Sequence, residues 1–190
     1  MKKYLKLLAV LLAVVMLSSC SLFIHPVDNL KIKVAAGGSF QLDIKLTDIP
    51  LIGDINILFR KDGDKTYTSG ILGTEVYTEK IDEDTYVYTK NLLGKWGREK
   101  GEKGGLAKYF DEDDLETLLI SDNYEKSETD ENTYILKSDV SIKNLKNVEI
   151  TFGEDTYKFH FTYDYNGIET DGEMTMSKIG DVSVELPTLS

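Results

Sequence analysis

Few side chains in this sequence have the chemistry that catalysis requires. Nucleophilic catalysis needs a nucleophile, a base and a group that orients the base, and His25 and His160 are the only imidazoles. His25 belongs to an N-terminal segment, and His160 alternates with apolar residues, as on the solvated face of a strand. One cysteine and two distant histidines do not supply the usual ligands of a zinc site. The sequence therefore predicts no enzyme, no cofactor and no metal site.

Three acidic clusters are compatible with metal binding, but each has a structural interpretation. Asp111 to Asp114 precedes a helical pattern, and the helix dipole and the N-terminal cap favour acidic side chains at that position. Asp62-Gly63-Asp64 and Asp82-Glu83-Asp84 separate strand patterns, and neither continues into the loop pattern of a recognised calcium site. We interpret the first cluster as a helix start and the other two as turns.

Cys20 is the one residue whose surroundings predict a covalent modification. The chain opens with a short basic segment, Met1 to Lys6, and continues without a polar side chain from Leu7 to Leu17. This apolar run is shorter than the about 20 residues that a membrane-spanning helix needs, which indicates a cleaved signal peptide over residues 1–19. Leu17-Ser18-Ser19-Cys20 resembles the bacterial lipobox, in which the thiol is acylated and the chain is cut before it. Ordinary secretion with cleavage elsewhere is the alternative.

The predicted lipid on Cys20 determines where the mature protein is expected. Each buried methylene contributes about 0.8 kcal/mol, so more than one acyl chain makes attachment to a membrane durable. Because Cys20 is the only cysteine, no intramolecular disulfide can form. The expected partner is a membrane, through the lipid on Cys20, and the expected localisation is extracytoplasmic, lipid-anchored to the bacterial cell membrane.

The charge of the chain excludes some other partners. The formal net charge is −11, and loss of the three lysines of the signal peptide leaves 19 basic and 33 acidic residues, a net charge of −14. A surface of this sign repels nucleic-acid backbones and anionic headgroups, so we expect no nucleic-acid binding. The remaining length of about 170 residues suits one domain with one core.

The segment that follows the cysteine is expected to be a tether. Residues 20–38 contain Pro26 and Gly37-Gly38, and the alternation from Leu30 to Val34 favours at most an edge strand. No convincing helix is predicted between Pro26 and Phe40. A single folded domain is expected over residues 39–190.

The apolar residues of this domain recur mostly with period two, which is typical of half-buried strands. One short amphipathic helix is predicted at Leu115, Leu118 and Leu119, with Asp113 and Glu116 placed like a capping box. A turn is expected at 106–110, and Gly94 to Gly105 favours a loop or a short strand followed by a loop. The strand patterns are 40–46, 55–59, 66–68, 75–78, 85–89, 124–127, 133–136, 148–152, 157–165, 168–176 and 182–186.

These patterns predict about nine to eleven strands and one or two short helices, an α+β fold that is mostly β. The apolar face of such a sheet is rich in aromatic residues from Tyr157 to Tyr165 and flexible at Met174 and Met176. Either the sheet curls and fills its own interior, or it encloses a hydrophobic cavity for a lipid or another apolar ligand. The patterns alone favour neither outcome.

Several short sequence segments resemble the LolA and LppX type of bacterial lipoprotein carriers and their lipoprotein relatives. These segments are spread over most of the mature chain. They are Gly53-Asp54-Ile55-Asn56-Ile57, Gly73-Thr74-Glu75-Val76-Tyr77, Tyr86-Val87-Tyr88 before Gly94-Lys95-Trp96, and Gly180 to Pro187. The resemblance implies a strongly curved antiparallel half-barrel, with helices covering its concave face and a cavity for acyl chains. Such carriers begin with a helix, which is not predicted here.

We therefore expect a non-enzymatic, membrane-anchored lipoprotein that binds a hydrophobic ligand, an acyl chain or lipid, inside a curved sheet. The alternative is a cell-surface interaction module with a filled core that binds a protein or an envelope polymer. The residues expected to line the cavity are Phe40, Leu42, Ile44, Ile55, Ile57, Phe59, Tyr86, Tyr88, Trp96, Leu118, Phe159, Phe161, Tyr163, Met174 and Met176.

Overall fold

A computed structural model of the chain describes residues 24–70, 73–101, 112–165 and 167–189, which form one antiparallel sheet and two α-helices. The helices are α1 Pro26–Gly37 and α2 Glu112–Leu118. The strands are β1 Ser39–Ile49, β2 Gly53–Asp62, β3 Lys65–Ser69, β4 Glu75–Ile81, β5 Asp84–Lys90, β6 Trp96–Lys100, β7 Tyr124–Lys126, β8 Thr133–Leu136, β9 Leu145–Phe152, β10 Tyr157–Tyr165 and β11 Ile168–Ser177. The prediction of a mostly β fold with an antiparallel sheet is confirmed, and of the two helices only α2 lies where a helix was expected. Cys20, the signal peptide and the turn at 106–110 lie outside the described residues.

The sheet consists of two meanders that meet at the first and last strands. Its order is β6-β5-β4-β3-β2-β1-β11-β10-β9-β8-β7, so β1 lies at the centre and pairs with both β2 and β11. Among the described strands β6 and β7 form the two edges, and the sheet does not close into a barrel. Antiparallel hairpins explain the order, because within each meander, β1 to β6 and β7 to β11, every strand pairs with the next one along the chain.

One face of the sheet, here called the core face, carries the hydrophobic core. A row of directly paired residues crosses six strands on this face: Ile57, Ile44, Met174, Phe159, Ile150 and Tyr134. Phe159 and Ile150 are fully buried, and Met174 is 2% exposed. The opposite face, here called the outer face, has polar residues such as Gln41 and His160 at alternate positions of the same strands. The period-two patterns therefore identify the apolar face of these strands correctly.

The predicted tether is wrong over residues 26–37, where the chain forms α1. His25 caps the helix through a side chain that accepts a hydrogen bond from the Val27 amide, and Pro26 occupies its first turn. Val27 and Leu30 are buried against the core face, whereas Ile32 is 57% exposed. The alternation from Leu30 to Val34 is therefore not that of a strand, because burial follows the helical spacing. Gly38 ends α1 in the left-handed conformation at φ 66°.

The predicted strand at 182–186 is also wrong. Residues 178–189 lie outside the strands and are fixed by single hydrogen bonds, from the Gly180 amide to the Ser39 carbonyl at 2.8 Å and from the Val184 amide to an Asp62 carboxylate oxygen at 3.1 Å. The central strand β1 already pairs with β2 and β11, so the C-terminal segment cannot pair with β1 as a further strand. Val184 nevertheless buries its side chain, which explains its place in the apolar pattern.

The second helix begins earlier than predicted. Because α2 starts at Glu112, Asp113 lies within the helix and not at its cap. Leu118 and Leu119 are buried in the core, as the helical spacing predicts. Among the described residues, no helix has the length and hydrophobicity that crossing a bilayer requires.

Candidate functional site

Of the fifteen predicted cavity-lining residues, eleven lie on the core face and Leu118 of α2 packs in the same core, which brings twelve together. Ten of them are buried in one cluster: Phe40, Leu42, Ile44, Ile57, Leu118, Phe159, Phe161, Tyr163, Met174 and Met176. The remaining two, Ile55 and Phe59, are partly buried and pack against the same cluster. The residues come from β1, β2, α2, β10 and β11, which the central pairing of β1 with β11 brings together.

The two helices and Leu119, which directly follows α2, cover this cluster with four buried aliphatic side chains. Val27 and Leu30 of α1 and Leu118 of α2 are at most 1% exposed, and Leu119 is 5% exposed. The Tyr124 hydroxyl donates a hydrogen bond to the Leu118 carbonyl at 3.0 Å, which fixes the end of α2. Burial raises the pKa of this hydroxyl, so it stays protonated at neutral pH.

Aromatic rings connect the start of α1 to the sheet. His25 contacts Tyr134 with ring centroids 4.7 Å apart, Tyr134 contacts Phe152 at 5.6 Å, and Phe152 contacts Tyr157 at 5.8 Å. The Lys33 ammonium donates to the Tyr157 hydroxyl at 3.0 Å, and this hydrogen bond raises the pKa of Lys33. Polar contacts thus border an otherwise apolar interface between α1 and the sheet.

Several core residues were not predicted for the site. The expectation of a tether leaves out Val27 and Leu30, although their spacing of three residues is the helical signal. Val148 and Ile150 lie in a recognised strand pattern and are at most 1% exposed. Their alternation places them on the same face as Phe159, which could have been inferred from the order of the final hairpins.

Tyr86, Tyr88 and Trp96 do not line the core face, so this part of the prediction is wrong. In the register of the sheet, Tyr88 pairs with Tyr77, and the row continues through Tyr67, Arg60 and Gln41 on the outer face. Tyr86 lies on the same side of β5 as Tyr88, and Trp96 on the same side of β6 as the paired Arg98. The core face of β5 carries Val87 instead. The sequence does not reveal this, because Tyr86 and Tyr88 form one side of β5 and Val87 lies between two threonines on the other, so both sides look half-apolar.

These residues form what we call the outer aromatic cluster: Tyr67, Tyr77, Tyr86, Tyr88 and Trp96. The ring centroids of Tyr67 and Tyr77 are 4.8 Å apart, and those of Tyr77 and Trp96 are 5.3 Å apart. Such cross-strand aromatic pairs stabilise a sheet whichever ligand it binds.

Cations cover parts of this cluster. Arg60 lies 5.9 Å from the Tyr67 centroid, Arg98 lies 4.7 Å from that of Tyr86, and the Lys90 ammonium lies 4.8 Å from that of Trp96. Arg60 and Arg98 are the only arginines of the sequence. A strongly acidic protein therefore places both its guanidinium groups on one aromatic surface.

Neighbouring acids partly neutralise these cations. A Glu75 carboxylate oxygen accepts a hydrogen bond from the Lys90 ammonium at 2.5 Å, and this contact lowers the pKa of Glu75. Glu79 accepts from the Tyr88 hydroxyl at 2.8 Å. Burial is the largest cause that raises the pKa of Tyr88, so this hydroxyl remains a donor at neutral pH.

The described residues offer no catalytic arrangement around an imidazole. His160 lies on the outer face with its Nδ1 atom 3.6 Å from Glu173, and both side chains are about half exposed, at 52% and 44%. Within the described ranges there is also no group of three or more histidine, cysteine or acidic residues that could hold a metal ion.

Comparison with models of known protein families gives no match, and comparison with curated proteins gives none either.

Proposed function

We propose that this protein is a lipid-anchored, extracytoplasmic lipoprotein that binds an acyl chain or a lipid between the core face and its two helices. The main support is the single continuous apolar face on which eleven predicted lining residues meet, in one cluster with Leu118 of α2. The proposal includes the half-barrel curvature of the LolA and LppX type of carriers, since a curved sheet is needed to wrap an acyl chain.

The position of α1 supports this relationship. Carriers of this type begin with a helix that closes the curved sheet, and α1 precedes the first strand here and buries Val27 and Leu30 on the core face. The sequence alone indicated no helix at this point, so its presence removes the one departure from the resemblance noted above.

An acyl chain can offset the cost of moving the helices. Burial of an aliphatic side chain contributes about 1.5–3 kcal/mol, so the four covering side chains contribute roughly 6–12 kcal/mol. A sixteen-carbon chain contributes about 0.8 kcal/mol per methylene, or about 12 kcal/mol when fully buried. The two quantities are similar, and displacement of short helices leaves the hydrogen bonds of the sheet intact.

Mass spectrometry of the N-terminal peptide and of extracted lipid tests the proposal. The full chain expressed in a bacterium should yield a mature N-terminal peptide with diacylglycerol on Cys20. A form that begins at Ser21 should co-purify with a non-covalent lipid or take up labelled palmitate. An unmodified cysteine would contradict the anchor, and failure to retain or take up any lipid would contradict the carrier.

The outer aromatic cluster supports a second function, an interaction module for an envelope polymer. Tyrosine and tryptophan rings can stack on sugar rings, and Arg60 and Arg98 can pair with anionic substituents of the polymer. Sedimentation with an isolated cell-wall fraction is the test. Trp96→Ala should weaken binding, and Leu189→Ala, at an exposed site elsewhere, should not. Equal binding of both variants would refute a role for the cluster.

A further inference from the structure

Two hairpin connections expose aliphatic side chains to solvent, three of the four by more than 80%. Leu51 is 108% exposed and Ile52 is 49% exposed in the β1–β2 connection. Leu92 and Leu93 are 106% and 82% exposed in the β5–β6 connection. Neither pair contributes to the core, so folding of this domain does not require aliphatic residues at these tips.

Both connections lie at the same end of the sheet. In an antiparallel meander the connections after β1, β3 and β5 share one end, and the β10–β11 turn joins them because β11 runs antiparallel to β1. Ile168, which follows that turn, is 47% exposed. We call this the apolar end. The β3–β4 connection also lies there, but its aliphatic residues Ile71 and Leu72 are outside the described residues.

The opposite end, which we call the acidic end, has a contrasting charge. Among the described residues, its strand connections contain eight acidic side chains and no basic one: Asp64, Asp82, Glu83, Glu128, Asp130, Glu131, Glu154 and Asp155. The described connections at the apolar end contain Lys95, Lys137 and Lys143 and one acid, Asp139. An anionic membrane surface therefore repels the acidic end more strongly than the apolar end.

Trp96 and two lysines lie beside the exposed leucines. Trp96 begins β6 directly after the Leu92-Leu93 tip, and Lys90 holds its ammonium 4.8 Å from the indole centroid. Lys95 precedes the tryptophan and is exposed. Tryptophan prefers the headgroup level of a bilayer, and lysine extends its ammonium to the same level.

We propose that the apolar end docks on the bilayer to which Cys20 is attached, with the aliphatic tips inserted among the lipid headgroups. This proposal depends on the lipid anchor proposed above. The reach of the chain permits it, because the His25 ring contacts Tyr134 in the row of paired residues that contains Ile44, and from Ile44 to the end of β1 the strand rises about 17 Å. The five residues back to Cys20 extend up to about 17 Å.

Depth-dependent quenching of Trp96 fluorescence tests this docking. The mature lipidated protein is reconstituted in vesicles of phosphatidylcholine and phosphatidylglycerol whose acyl chains are brominated close to the headgroup. We expect quenching of Trp96 with a blue shift of its emission. Leu92→Ser/Leu93→Ser and, on the tip farther from the indole, Leu51→Ser/Ile52→Ser should each reduce the quenching at least twofold.

Ile81→Ser is the matched control, because Ile81 is 41% exposed and adjoins the acidic end. It should leave the quenching unchanged. Unquenched Trp96 in lipidated wild-type protein would overturn the docking while the anchor stands, whereas a mature protein without acyl mass on Cys20 would overturn the anchor itself. Loss of a dimer in the tip variants, without any effect of brominated lipid, would assign the tips to a second copy and also overturn the docking.

Discussion

Replacement of Leu30 by alanine tests whether α1 moves when the ligand binds or stays in place as a wall of the binding site. Leu30 is 1% exposed at the interface between α1 and the core face. Buried leucine-to-alanine changes destabilise proteins by about 2–5 kcal/mol, and a peripheral helix should lie at the lower limit, about 2 kcal/mol. Urea denaturation of a form that begins at Ser21 measures this loss as a lower midpoint.

The same change should strengthen the binding of an acyl chain. If the ligand replaces α1 on the core face, a helix held about 2 kcal/mol less firmly costs less to displace, and affinity rises up to about 30-fold. Titration with a fluorescent palmitate analogue measures the dissociation constant. The increase is largest if α1 leaves the sheet completely and smaller if it moves only in part.

Ile32→Ala on the same helix is the control, because Ile32 is 57% exposed. It should change the dissociation constant less than twofold. Weaker binding by Leu30→Ala would refute the displacement of α1 and would show that Leu30 lines a preformed cavity. An unchanged affinity, with the expected loss of stability, would show that α1 takes no part in binding.

Two further predictions concern the sheet itself. Gly172→Ala should destabilise the protein by about 1–3 kcal/mol, because the new Cβ atom would lie 2.1 Å from the Phe161 ring, whereas Gly97→Ala, with no atom within 4 Å, should have little effect in thermal unfolding. The contact with Lys90 lowers the pKa of Glu75 in the folded state, so this contribution to stability is present above the unfolded pKa of about 4.5 and is lost as pH falls below it. Urea midpoints between pH 6 and about pH 3 should therefore fall less steeply in Glu75→Gln; parallel pH profiles would contradict this assignment.

The sequence predicted the strands well because alternation and hairpin turns are local signals. Asn166-Gly167 and the acidic turns mark the ends of strands whatever the rest of the fold does. The helix α1 was missed because Leu30, Ile32 and Val34 satisfy a period of two, while Val27, Leu30 and Val34 satisfy the helical period equally well. The helix and the strand differ in whether Val27 or Ile32 is buried, and tertiary packing determines which of the two it is.

The core face was identified correctly where one side of a strand is clearly polar. His160 and Lys158 identify the outer face of β10, so Phe159 and Phe161 were assigned correctly. β5 offers no such contrast, since one side carries two tyrosines and the other carries Val87 between two threonines. Its orientation follows from the register through β2, β3 and β4, a chain of pairings that is fixed only in the complete sheet.

The two proposed sites can be tested separately because they lie on different parts of the sheet. Leu30 is buried at the interface between α1 and the core face, whereas Leu92 and Leu93 extend from the apolar end and take no part in the core. Leu30→Ala should therefore leave the quenching of Trp96 by brominated lipid unchanged, and Leu92→Ser/Leu93→Ser should leave the affinity for palmitate in solution unchanged. If either variant lost both the quenching of Trp96 and the affinity for palmitate, docking and ligand entry would have to use one surface that includes α1.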